Sequence, residues 1–85
     1  MLTIPMNLKH AVNRDGAIIL DTPNNAMTPL NSTGAYIWQR LERGILLGDI
    51  VKELASETGV EQTIVAADVD RFIDELKARR LLLES

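Results

Sequence analysis

Apolar positions divide this chain into two regimes. Up to Leu30 they come in short runs broken by turn residues, and from Tyr36 onward they recur at helical spacing almost to the end. Asn7-Leu8-Lys9-His10-Ala11-Val12 alternates polar and apolar, with Leu8 and Val12 available to one face. Asn13-Arg14-Asp15-Gly16 is a turn signal, because the Asp-Gly pair tolerates positive φ. Ala17 to Leu20 is a second apolar run, punctuated by Asp21-Thr22-Pro23-Asn24-Asn25. The pattern predicts a hairpin, followed by a third short strand over Asn25–Leu30. Pro29 cannot donate to a ladder, which places that third strand at a sheet edge. The strands together span about residues 7–30.

Asn31, Ser32 and Thr33 are N-cap residue types, whose side-chain oxygens accept from the orphan N–H groups of a first helical turn. A first helix is expected over about 32–43, burying Tyr36 or Ile37, Trp38 and Leu41 in some combination. Gly44 suits the position after its end, and Arg40 and Arg43 suit its negative pole. A second helix, about 48–58, starts near Leu47 or Gly48 and presents Ile50, Val51, Leu54 and Ala55 as its apolar stripe. Thr58-Gly59 ends it, and Val60 is expected to pack inward. The third helix, about 61–80, aligns Val65, Val69, Phe72, Ile73 and Leu76 on one face. Leu81, Leu82 and Leu83 are expected to fold back onto the core.

The order implies one α+β domain over 1–85, with a three-stranded N-terminal antiparallel sheet followed by three helices. The tight Thr-Gly-Val turn between the last two helices reads as a winged helix-turn-helix, unusual in having its strands first.

Composition narrows what such a domain does. At 85 residues there is room for a single core, and with 46% hydrophobic but only 4% aromatic residues that core falls mainly to Leu, Ile, Val and Ala. The absence of cysteine excludes disulfides, thiolate metal sites and thiol nucleophiles, and fits a cytoplasmic protein. No apolar run approaches the ~18 residues of a membrane span. A formal charge of −3 weighs against nucleic-acid partners.

Candidate chemistry is sparse. His10, the sole histidine, has no second ligand type nearby, and the five glycines are scattered singly rather than grouped as a phosphate cradle. Asp68, Asp70, Asp74 and Glu75 are distributed around the solvated side of a helix. Nothing calls for a metal, a cofactor or catalysis. A DNA-binding regulator is the alternative that the helix-turn-helix pattern raises. Its recognition helix would open Glu61-Gln62-Thr63-Ile64, with no basic residue before Arg71, which opposes phosphate contact. A purely structural subunit is a further alternative.

A binding surface remains. An edge strand offers unpaired N–H and C=O groups to an extended peptide. Beside the third helix, the strand Asn25, Ala26, Met27, Thr28, Pro29, Leu30 makes a groove with one β wall and one α wall. Ile64, Val65, Val69 and Phe72 are candidates for its pockets; Val69 and Phe72 equally suit the core, and Ile64, at the margin of the stripe, is the better pocket residue. The same open edge could pair with a second copy of the chain, as a homodimer.

Leu30-Asn31-x-Thr33-Gly34-x-x-x-Trp38, Ile50-Val51-x-x-Leu54, Gly59-Val60 and Ala67-Asp68-Val69-x-x-Phe72-Ile73-x-x-Leu76 together resemble the PqqD family. The likeness runs from about Leu8 to Leu83. The family was first known from biosynthesis of the redox cofactor pyrroloquinoline quinone, and it typifies the recognition elements of ribosomally made, post-translationally modified peptides. The resemblance implies a non-catalytic protein that takes the precursor's leader peptide as an added antiparallel strand against the third helix. It carries that role onto Asn25 through Leu30 and onto Ile64, Val65, Asp68, Val69 and Phe72. It also implies delivery to a modifying enzyme, either a radical SAM enzyme or a lasso-type leader peptidase. Two features depart from the family pattern: Pro29 removes one possible donor, and Arg79-Arg80 replaces a glycine-containing turn. With no enzymatic domain following, the chain reads as a stand-alone element.

Overall fold

A computed structural model describes residues 2–84. The elements run β1 (Leu2–Thr3), β2 (Leu8–Asn13), β3 (Gly16–Asp21), β4 (Ala26–Asn31), α1 (Ser32–Glu42), α2 (Leu47–Thr58), α3 (Gln62–Ala78) and β5 (Leu83–Glu84). Strands β2, β3 and β4 form an antiparallel sheet in sequence order, so the expected sheet-then-helices layout holds. The short pair β1–β5 is additional: Leu2 and Thr3 meet Glu84 and Leu83, clasping the two ends of the chain. Neither segment alternates long enough to announce a strand.

The hairpin β2–β3 closes over Arg14-Asp15, and Asn13 accepts the Asp15 N–H at 2.9 Å through its side chain. The β3–β4 connection is held by Asp21, whose carboxylate accepts from Asn24 and Asn7 side-chain amides at 2.7 and 3.2 Å. Asn25 lies in this turn with φ 52°, one residue before β4 begins, rather than in the strand. Asparagine tolerates that left-handed geometry better than most side chains.

On the helix side of the sheet, Ala17 and Ile19 are buried beneath α1, which packs across β3 and β4. Ile37 and Trp38 go inward from α1, with Tyr36 and Leu41 half-buried around them. Ile50 and Leu54 of α2 meet Val65, Val69, Ile73 and Leu76 of α3, and Leu81 and Leu82 close the core as expected, whereas Leu83 leaves it, 49% exposed in β5 where it pairs with Thr3. Val60 departs from expectation. It sits just after the left-handed Gly59 that terminates α2, remains 42% exposed and faces a cavity instead of the core.

Two helix ends fix how the layers meet. Asn31 is at once the last residue of β4 and the N-cap of α1, its side-chain oxygen accepting from the Gly34 N–H at 2.8 Å. At the far end of α3, the Arg80 N–H donates to Lys77 and the Leu81 N–H to Leu76, a Schellman closure that buries Leu81 against the helix it terminates. The position after the cap needs a left-handed backbone. At the corresponding point after α1 this is supplied by Gly44, but after α3 it is supplied by Arg80 at φ 59°. The glycine absent from the sequence is thus a turn that persists with strain. Glu53 adds a polar tie between α1 and α2, accepting from Tyr36 at 2.8 Å and Arg40 at 3.0 Å. Those hydrogen bonds, Tyr36 first, hold its carboxyl below the usual range, so the tie is present above the ordinary carboxylate pKa and fades as pH falls through the lowered one.

Arg80→Gly should relieve the left-handed strain and stabilise by about 1 kcal/mol, raising Tm by roughly 4–8 °C for a domain of this size. Asn31→Ala should cost about 1 kcal/mol by orphaning the Gly34 N–H, and Asn31→Asp should retain most of that stability. Thermal melts followed by fluorescence of the buried Trp38 check both.

Candidate functional site

The sheet leaves β4 with one neighbour. No strand among the described residues pairs with its outer side. Which of its backbone groups face outward follows from the hairpin. A two-residue turn closes on a hydrogen-bonded pair, here Asn13 with Gly16, so Gly16, Ile18 and Leu20 address β2 while Ala17, Ile19 and Asp21 address β4. Their partners Leu30, Thr28 and Ala26 therefore point their N–H and C=O groups inward. Met27, Pro29 and Asn31 point theirs to the open edge. Pro29 is placed where its missing N–H breaks no bond with β3, and the edge consequently offers donors at Met27 and Asn31 with a gap between them.

Side chains alternate the other way. Thr28 and Leu30 lean toward the helices and are half-buried, whereas Met27, 68% exposed, and Pro29 occupy the far face beside Ile18. Met27 and Pro29 thus present backbone, not side chains, to the open edge. Gly16 sets the spacing at this corner: a Cβ built there would lie 2.0 Å from the Leu30 carbonyl oxygen.

Facing the edge, α3 runs opposite to β4. Two cavities lie along the groove between them. The lower, about 180 Å³, is lined by Thr28, Pro29, Leu30 and Asn31 on one side and by Phe72, Glu75, Leu76 and Arg79 on the other. The upper, about 270 Å³, is mainly apolar and is lined by Val65, Asp68, Val69 and Phe72 of α3, Asn31 at the end of β4, and Thr33, Gly34 and Ile37 of α1. Leu54, Thr58 and Val60 close its far wall. Phe72 and Asn31 belong to both cavities.

Of the residues singled out in the sequence, Thr28, Pro29, Leu30, Val65, Asp68, Val69 and Phe72 converge on this groove. Val69 serves as core and cavity floor together, and Phe72 is only half-buried. Asn25, Ala26, Met27 and Ile64 line neither cavity. Ile64 is 53% exposed on α3, one turn before Asp68 on the same helix face, at the open margin of the upper cavity. Conversely, Thr33, Gly34 and Thr58, which read as cap and turn residues, and Val60, which read as core, line the upper cavity. For Thr33 and Gly34 the signal was the Asn-x-Thr-Gly cluster itself, since a helix that starts beside an edge strand presents its first turn along that edge; Thr58 and Val60 carried no such signal. Asp68 is the charged group of the upper cavity; its contact with Arg71 is 3.7 Å long and solvent-exposed, leaving the carboxylate open to a ligand.

No curated protein matches this chain. Two solved structures superpose over almost the whole of it. TbiB1 in complex with the TbiA(beta) leader peptide matches at TM-score 0.89 and 26% identity, covering 96% of this chain and 95% of its own. Lasso peptide synthetase B1 complexed with the leader peptide matches at TM-score 0.89 and 29% identity, covering 98% of each chain. The family model for coenzyme PQQ synthesis protein D matches residues 16–82, from the first residue of β3 to the buried Leu82. With the sheet edge, the helix cap and the groove wall all inside that span, the chain belongs to the PqqD family.

Proposed function

We propose that this protein captures the leader peptide of a ribosomally synthesised precursor by strand addition to β4 and presents it to a modifying enzyme, without catalysing a step itself. The observation that carries the reading is an edge strand, unpaired among the described residues, facing a helix across an apolar cavity, in a fold matched by two leader-peptide complexes. Because β4 and α3 run in opposite directions, a strand added antiparallel to β4 runs parallel to α3. Its N-terminal end meets the apolar cavity at Asn31 and Val65, and its C-terminal end meets Glu75 and Arg79. Backbone bonds form at Met27 and Asn31, skip the nitrogen of Pro29, and resume at its carbonyl.

The nature of one neighbour, a lasso peptide synthetase B1, favours a leader peptidase over a radical SAM enzyme as the recipient. A regulator bound to DNA is poorly served by this geometry. The exposed start of α3 carries Glu61 and Asp68, whose charges repel phosphate.

Binding is measured by fluorescence anisotropy with two labelled probes, the TbiA(beta) leader peptide and the leader of a short precursor encoded beside this chain's gene, against duplex DNA as control. Saturable binding of a leader and none of DNA is expected. Failure of both leaders overturns the reading. Met27→Pro removes an outward donor and should weaken the bound leader by about fivefold to tenfold, the worth of one net hydrogen bond, with little change in Tm. Thr28→Pro removes a donor to β3 and should instead lower Tm by several degrees.

A further inference from the structure

From the packing around α1 we infer that Gly34 is a positioning residue for the groove, kept free of a side chain so that the Phe72 ring can lie back and hold the groove open. The inference rests on the leader-binding reading and assigns a task to a residue that touches no backbone edge.

Gly34 stands inside the first turn of a helix, where glycine is less favourable than alanine. Its conformation gives no reason to keep it, since it is not among the positive-φ glycines. Its surroundings do. A Cβ built on Gly34 would lie 3.2 and 3.3 Å from Cε1 and Cζ of Phe72, and 3.3 Å from Cβ of Leu30. All three contacts are tighter than ordinary van der Waals packing. Leu30 Cβ is fixed to a strand whose backbone is bonded into the sheet, so it cannot yield. The Phe72 ring can, because it is half-buried and borders open space on two sides.

The direction in which it yields is the point. Phe72 lines both cavities, so its ring is the partition between the apolar upper pocket and the polar lower one. A methyl at position 34 drives the ring away from α1 and into the path of an added strand. The groove narrows where the peptide side chains that face α3 must pass from one pocket to the next. Helix stability and groove width thus make opposite demands on one position, and glycine satisfies the second.

The test exploits the fact that Phe72 is the only phenylalanine in the chain. Its ring resonances in a ¹³C-correlated aromatic NMR spectrum are unambiguous without assignment. In Gly34→Ala these resonances should shift in the free protein, Tm should stay within about 3 °C of the parent, and affinity for the better-bound leader probe should fall by about tenfold or more, the equivalent of modest overpacking. In a Phe72→Leu background the added methyl has room, so Gly34→Ala should change affinity there by less than about twofold. Unchanged ring resonances, unchanged affinity in the single variant, or equal losses in both backgrounds each overturn the inference. Should Gly34→Ala fold poorly, the Phe72→Leu background decides: a double variant as unstable as the single one counts against the ring as the yielding partner. Loss of leader binding by the parent protein is a different result. It removes the leader reading, while the ring shift still reports whether position 34 sets the position of Phe72.

Discussion

A single hydrogen bond fixes the relation between the two halves of this protein. The Asn31 side chain accepts from Gly34 while its backbone still completes β4, so strand and helix share a residue with no linker between them. A chain that turns from strand to helix without a spacer has little freedom in the angle it adopts. That angle lays α1 across β3 and β4, and Ile37 and Trp38 then reach Ile19 and the helices beyond. It also delivers Thr33 and Gly34 to the mouth of the upper cavity. Core and groove are consequences of the same junction, and a change at Asn31 is felt in both.

The groove is built from groups that already have structural work. Val65 and Val69 belong to the hydrophobic core and form the cavity floor, and Leu30 packs beneath α1 while its strand offers an edge. Such a floor is rigid, because moving it means disturbing close packing. Phe72 is the exception. It stands at the margin of the core, with its Cε1–Cζ edge toward Gly34 and the ring bordering both cavities. The adaptable part of the site is therefore one ring on an otherwise stiff wall.

Much of this was legible in the sequence because periodicity and punctuation agreed. The hairpin, the edge position of β4, the cap at Asn31 and the stripe of α3 each had a local cause in residue type and spacing. What was not legible depended on direction and register. Asn25 looked like a strand residue until the turn placed it at positive φ. Ile64 borders the stripe and lies exposed outside both cavities, a placement that the helical period alone does not decide. Val60 was read as core because it is apolar, although the chain emerging from α2 leaves it on the cavity rim. The β1–β5 clasp escaped because two-residue strands carry no periodicity at all.

Pro29 was first an inconvenience, a missing donor in the strand meant to receive a peptide. Its outward-facing position gives it another consequence. An open edge is a hazard, since it can template pairing with any other exposed edge, including that of an identical molecule. A leader strand laid on β4 forfeits one bond at Pro29. Two copies of β4 joined edge to edge forfeit two, one from each proline, within a strand of six residues. The penalty for self-association is thus twice that for the intended guest, and a residue that weakens the edge for everything weakens it most against the protein's own aggregation.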